Sequence, residues 1–192
     1  MEKILLIGGG GHCRSVIDVI EQENRFQIAG IVDRPELVGS KVLNYEVIGC
    51  DDDLEILSKT YKYALVTVGQ ISSSQLRVKL FTILKKLGFT LPTIISPRSY
   101  VSKYAELGEG TVVMHDALIN ASVKIGENCI INTKALVEHD SIIEANCHIS
   151  TGAIINGSVK VEANSFIGSG ATTKEAIIIK KNSFIKAGSI VK

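Results

Sequence analysis

From Ile95 to Val191 an aliphatic residue recurs at every sixth position: Ile95, Val101, Leu107, Val113, Ile119, Ile125, Ile131, Val137, Ile143, Ile149, Ile155, Val161, Ile167, then Thr173, Ile179, Ile185 and Val191. Thr173 alone breaks the run. Four residues after each stands a mostly small side chain, such as Ala105, Ala117, Cys129, Ala135, Cys147, Ala153 and Ala171. A flat sheet, alternating every second residue, has no reason to repeat at six, and a helix with a period near 3.6 does not keep that phase. The pattern predicts a solenoid in which each hexad forms one side of a triangular coil and eighteen residues close a turn. An independent signal supports that step. Three residues after the aliphatic position, intervals of eighteen read Gly110, Asn128, Asn146, Asn164, Asn182 at one corner and Asp116, Lys134, Gly152, Gly170, Gly188 at the next. Glycine and asparagine tolerate the left-handed backbone of a tight corner. With no insertion among the hexads, about five coils stack at roughly 4.8 Å each, a prism on the order of 25 Å tall. Cys129 and Cys147 then fall one above the other as buried thiols.

The first ninety residues follow another pattern. Apolar runs at Ile4–Ile7, Ile28–Val32 and Ala64–Val68 read as strands. Val16, Ile17, Val19 and Ile20, and later Leu76, Val78, Leu80, Phe81, Leu84 and Leu87, keep helical spacing. Strand, glycine turn, helix and a strand ending in Asp33 open a Rossmann-like domain with a parallel sheet of about four strands. The turn is Gly8-Gly9-Gly10-Gly11-His12, which lets a phosphate approach backbone N–H groups at a helix start. Read from Gly8, a dinucleotide fingerprint would place Cys13 at its last glycine, so a nucleotide site is expected here but an NAD site is not. Asp33 could accept from a ribose or a base, and Gly69 ends the third strand in the same crevice. The domains are expected at 1–92 and 93–192.

Composition narrows the function classes. Lys+Arg number 21 against 20 Asp+Glu, giving a net charge of +1 and no basic stripe, so nucleic acid is not an expected partner. No leader pattern or membrane-length apolar run appears, which predicts a cytoplasmic protein without membrane attachment. Four cysteines without a CxxC pair suggest neither a metal site nor a disulfide scaffold.

Among His12, His115, His139 and His148, position singles out His139. It lies two after Val137 and so points outward. Asp140 follows at the corner, Gly157 is one coil above and Ala121 one coil below. A histidine with an adjacent carboxylate and open space beside it suits general-base chemistry.

Gly10-Gly11-His12, Asp33, the segment Val137-Glu138-His139-Asp140 and the pair Cys147-His148 resemble the bacterial sugar acetyltransferases that join a small nucleotide-binding domain to a left-handed β-helix. These include the UDP-amino-sugar N-acetyltransferases of bacillosamine-type pathways and the sialic acid O-acetyltransferases. The resemblance covers essentially the whole chain. It implies the left-handed winding, which periodicity cannot show and which runs against the usual rule for parallel crossovers. It implies transfer of acetyl from acetyl-CoA to the amino group of a nucleotide-activated sugar of the 4-amino-4,6-dideoxyhexose type, with no metal. His139 would be the general base and Asp140 its orienting partner. His148, Gly157, Ser169 and Ala187 would serve the coenzyme, and Gly10, Gly11, His12, Asp33, Arg34 and Gly69 the nucleotide sugar. Arg34 departs from the second acid that many members carry, and the Gly-x-Pro-Ala tail that commonly follows the last coil is missing after Lys192. His139 and His148 lie half a coil apart, so one site using both requires two subunits, in keeping with a homotrimer. The competing readings are O-acetylation of sialic acid or a related sugar, a non-catalytic trimeric nucleotide-binding scaffold, and a small NAD-dependent enzyme.

Overall fold

The computed structural model describes all 192 residues, which form two compact units. The first comprises Met1–Gly69 and Gln75–Pro92. Its elements are β1 (Glu2–Ile7), α1 (Gly11–Glu23), β2 (Phe26–Val32), β3 (Lys41–Val42), β4 (Tyr45–Gly49), α2 (Leu54–Leu57), β5 (Tyr63–Val66) and α3 (Gln75–Lys86). The sheet order is β3-β4-β2-β1-β5. Strand β1 is paired in parallel on both sides, by β2 and β5, and Ile4 to Ile7 are buried, which is why this segment reads as an unbroken apolar run. The sheet has five strands rather than four and is mixed. Leu43, in the left-handed region at φ 53°, turns the chain so that Lys41 and Val42 run antiparallel to Tyr45 and Glu46, while β4 itself joins β2 in parallel. Strand β5 stops at Val66, earlier than the apolar run suggests. Arg77, almost fully buried on α3, donates from Nη1 to the carbonyls of Val66 and Val68 at 2.7 and 3.0 Å. A cation thus meets the strand's exit, and the buried face of α3 centres on Arg77, Leu80, Phe81 and Leu84, with Leu76 exposed.

The second unit comprises Gln70–Ser74 and Thr93–Lys192. From Ile94 to Val191 it is a run of two-residue strands in three parallel sheets, the left-handed β-helix; in chain order the first sheet starts at Ile94 with six strands, the second at Tyr100 with six and the third at Glu106 with five. Every pairing steps by eighteen, for example Leu118 with Leu136 and Ile130 with His148. Isoleucines and valines at the sixth positions fill the bore with the small set Ala117, Val123, Cys129, Ala135, Cys147, Ala153, Val159 and Ala171. Thr173 is buried too, and its Oγ1 accepts from the Asn156 N–H at 2.9 Å, so the hydroxyl is not left bare in an apolar bore.

The corners explain the stack. Asn128, Lys134, Asn146 and Gly152 all have positive φ, and each donates its N–H to the carbonyl nineteen residues back: Glu109, His115, Glu127 and Thr133. The left-handed turn aims an N–H at the coil below that a right-handed residue would aim elsewhere. At the third corner Asp140, Ser158 and Ala176 do the same, and these three with Ser122 take φ 54–62° without one glycine or asparagine. There the coil-to-coil bonds offset a conformational cost of roughly 1–2 kcal/mol per residue.

Three glycines serve close approach instead. A Cβ on Gly108, Gly126 or Gly168 would fall 2.4–2.6 Å from backbone nitrogen of the next coil. Gly126→Ala is therefore expected to lower the melting temperature by several degrees, reflecting overpacking of about 1–3 kcal/mol against an immobile backbone. Gly152→Asn, at a left-handed corner with open space around it, should melt within a degree or two of wild type by calorimetry.

Burial also silences the thiols. Desolvation pushes Cys13 up to about 11, and the hydrogen bond between Cys129 and Cys147, then burial, raises the latter further. In the native protein a thiol reagent at pH 8 should therefore label Cys50 alone, the one cysteine that is not buried, with all four reacting in denaturant.

Candidate active site

At the corner between the second and third sheets, Asp140 takes the left-handed conformation at φ 59° immediately after His139. Its Oδ2 accepts from His139 Nδ1 at 2.8 Å, which fixes the tautomer with the Nε2 lone pair free for a proton. Both side chains are more than half exposed. Behind the pair, Glu138 Oε2 accepts from Asn120 Nδ2 at 2.8 Å and from the His139 N–H at 3.3 Å, which steadies the His139 backbone from the coil below.

The imidazole lies against Gly157. A Cβ at that position would come within 2.9 Å of His139 Cε1 and 3.0 Å of Nε2. The ring thus occupies space that any other residue at 157 would fill. Around it opens a hollow of about 480 Å³ lined by Glu138, His139, Asn156, Gly157, Ser158, Glu175 and Ala176. Of these, only His139 and Gly157 were singled out from the sequence. The others stand at the same corner or beside it in neighbouring coils, and the eighteen-residue register alone would have found them.

The remaining expected coenzyme residues fall elsewhere on the coil. Ser169 and Ala187 stack on the corner between the first and second sheets, with Ser169 Oγ 3.0 Å from Ser150 Oγ. His148 is not presented to solvent. It is buried, its Nδ1 donates to the Gln70 carbonyl, its Nε2 accepts from Asn132 Nδ2 at 3.1 Å, and Phe166 packs against it edge-on. Gln70 is itself buried and donates to the Asn146 carbonyl at 3.0 Å. Sequence could not reveal this, because the segment Gln70–Ser74 arrives from a remote part of the chain.

In the first unit, Gly10, Gly11, His12, Asp33, Arg34 and Gly69 gather at the carboxyl ends of β1, β2 and β5, where open α/β sheets bind ligands. The four glycines divide by role. Gly8, at φ 102°, leaves no room for a Cβ against Val68, whereas Gly10 and Gly11 face open space at the start of α1. Asp33 Oδ2 accepts from the Gly9 N–H and Oδ1 from the Arg34 N–H at 2.7 Å, so both carboxylate oxygens brace the turn. Arg34 is exposed and pairs with Glu36 at 3.1 Å. A hollow of about 310 Å³ adjoins Asp33 and Arg34 and extends to Cys50, Asp51, Asp52 and Leu76. Cys50, Asp51 and Asp52 escaped the sequence reading because β4 did.

Comparison with known proteins bears on this geometry. Residues 3–84 match the family model of the PglD N-terminal domain, and residues 158–192 match that of the hexapeptide repeat of succinyl-transferase. A histidine-to-asparagine variant of perosamine N-acetyltransferase from Caulobacter crescentus, solved with CoA and GDP-perosamine, superposes with a TM-score of 0.94 at 33% identity over 100% of this chain and 89% of that one. The chain belongs to the CoA-dependent bacterial sugar N-acetyltransferases. The acetyltransferase domain of PglB from Neisseria gonorrhoeae superposes on this acetyltransferase with a TM-score of 0.92 at 28% identity, covering 100% of this chain and 92% of that one. The same domain in complex with acetyl coenzyme A gives 0.89 at 29%, covering 99% and 92%. A search of curated proteins gave no match.

In this acetyltransferase the distance between Gly157 and the ring makes a selective probe. In Gly157→Ala the imidazole, a movable side-chain end, should swing aside at little cost in stability. The melting temperature should stay within about 2 °C of wild type while kcat/KM for acetyl transfer falls on the order of 100-fold, as displacing a reacting group by an ångström does.

Proposed function

We propose that this acetyltransferase moves the acetyl group of acetyl-CoA to the amino group of a nucleotide-activated sugar of the 4-amino-4,6-dideoxyhexose type, with His139 as general base. The observation that carries the reading is the His139–Asp140 pair, with Nδ1 held by the carboxylate and Nε2 turned to the open hollow over Gly157. The amine attacks the thioester carbonyl carbon, the C–N bond forms as the C–S bond breaks, and His139 Nε2 takes one N–H proton. That proton passes to the departing thiolate, which restores the imidazole. Asp140 stabilises the imidazolium in between and keeps its own charge.

The nucleotide is assigned to the first unit. Gly10 and Gly11 open the amino end of a thirteen-residue helix with no acid in its first turn, which suits a pyrophosphate. Asp33 contributes by holding the turn, and His12, Arg34 and Gly69 line its surroundings. The related N-acetyltransferase that binds GDP-perosamine supports a nucleotide-linked amine as acceptor.

The coenzyme subsite is assigned to two protomers of a homotrimer. The prism face built on Glu106, Lys124, Glu144 and Lys160 carries two ion pairs, with Ile142 and Ile178 exposed among them. The face carrying Tyr100, Leu118 and Ile190 leaves these side chains 60%, 37% and 75% exposed, with Leu136 and Ile154 between them. One edge of that face is the His139 corner and the other is the Ser169/Ala187 corner. A copy packed on it brings the base and Gly157 of one protomer toward Ser169 and Ala187 of the next, with His148 bracing the wall through Gln70 and Asn132.

His139→Ala should fold as wild type and lose at least about 100-fold in kcat/KM, with product detected by mass spectrometry from acetyl-CoA and a nucleotide-linked amino sugar. Full activity would sink the general-base assignment. Light scattering should give three times the 20.7 kDa chain mass. Leu118→Asp with Ile154→Asp should yield a monomer with an unchanged circular dichroism spectrum and no transferase activity.

A further inference from the structure

The hollow at His139 is lined by two acids, Glu138 and Glu175, with Asp140 next to the base, and two of these three are spent. Asp140 holds Nδ1, and Glu138 holds Asn120 and the His139 backbone. Asn156, also in the hollow, is tied down by the Thr173 carbonyl at 2.6 Å. Glu175 lines the same hollow, is exposed, and has no hydrogen-bond or ion-pair partner in the chain.

Its place is set by the register. Ala121, His139, Gly157 and Glu175 form one vertical column at steps of eighteen. The His139 ring spans the Gly157 level, since it lies in contact with that residue. With coils roughly 4.8 Å apart, Glu175 stands about one level beyond Nε2. A group that hydrogen-bonds Nε2 from the hollow is therefore within reach of the Glu175 carboxylate on its other side.

We propose that Glu175 accepts the second N–H of the acceptor amine opposite His139 Nε2 and thereby makes the site selective for an amine over a hydroxyl. The inference rests on the acetyl-transfer reading above and adds the choice of nucleophile to it. A neutral primary amine brings one lone pair and two N–H bonds. In the attacking geometry the lone pair points at the carbonyl carbon, one N–H at His139 and the second at Glu175. As the C–N bond forms the nitrogen gains positive charge, which the carboxylate stabilises through a charge-assisted hydrogen bond. The first proton leaves through His139 to the thiolate, and the second stays on nitrogen in the amide product, still bonded to Glu175. A hydroxyl has a single proton. Given to His139, it leaves oxygen lone pairs facing a carboxylate in a partly desolvated hollow, which is repulsive.

The test compares Glu175→Gln and Glu175→Ala with wild type, using acetyl-CoA and a matched pair of nucleotide sugars bearing an amine or a hydroxyl at the acceptor carbon. The expected result is a fall in kcat/KM for the amine of about tenfold in the Gln variant and about 100-fold in the Ala variant. The hydroxyl rate should hold or rise, so that the amine-to-hydroxyl ratio drops at least tenfold. An unchanged ratio overturns the proposal, and so does an equal fall with both acceptors, since that marks a structural role. Coenzyme affinity by calorimetry should stay unchanged in both variants, and its loss would also count against the assignment. His139→Ala in parallel separates the two levels: full activity there fails the general-base assignment on which this inference rests, whereas an inactive His139→Ala with an unmoved Glu175 ratio fails this inference alone.

Discussion

The hydrogen bond from a corner N–H to the carbonyl nineteen residues back, repeated up the stack, is the constraint on which the β-helix depends. Two-residue strands contribute few ladder bonds, and without the corner bonds the coils would be joined only along three narrow stripes. The bond requires a left-handed residue at each corner, and once that turn is made the next strand is aimed and its register fixed. Register in turn decides which outward residue stands above which, so the chemistry of the surface is inherited from the backbone of the corners.

How legible this was depended on whether a feature repeats. The bore was readable because every coil asks for the same aliphatic and small residues, and the Cys129–Cys147 stack followed from it, with the Cys147 N–H resting 3.4 Å from Cys129 Sγ. Two corners were readable from their glycines and asparagines. The third, with Ser122, Asp140, Ser158 and Ala176, was not, because intercoil bonding overrides local preference and leaves no compositional trace. In the first unit the apolar strands were visible, but β3 and β4 were not. Val42, Val47 and Gly49 bury one face of a short hairpin whose turn at Leu43 carries no glycine signal.

The candidate site divides along the same line. His139, Asp140 and Gly157 could be placed together because they share a corner and a column. The surroundings of His148 were not legible because they are not periodic: Gln70, seventy-eight residues away in sequence, occupies its Nδ1. Asp33 was read as a ligand acceptor because it ends a strand, and that its oxygens also accept from the Gly9 and Arg34 N–H groups was not legible. In both cases a polar residue in a suggestive position serves the backbone, and only three-dimensional contacts reveal which polar groups remain for chemistry.

The His139–Asp140 pair shows how a corner makes a site that a strand cannot. Consecutive residues in a strand point to opposite faces, so a histidine and the carboxylate after it would diverge. At the corner the left-handed turn of Asp140 swings its side chain back to the same side as His139, and the two meet at 2.8 Å. The same turn sends the Asp140 N–H to Ala121 below, and the His139 carbonyl receives the Ser158 N–H from above, which clamps the dyad between its neighbours. Asp is among the few residues that tolerate this conformation and also carry a charge to place beside an imidazole. The geometry that stacks the coils is thus also the geometry that aligns the imidazole, so the side chain at position 140 can change its charge more readily than its backbone shape.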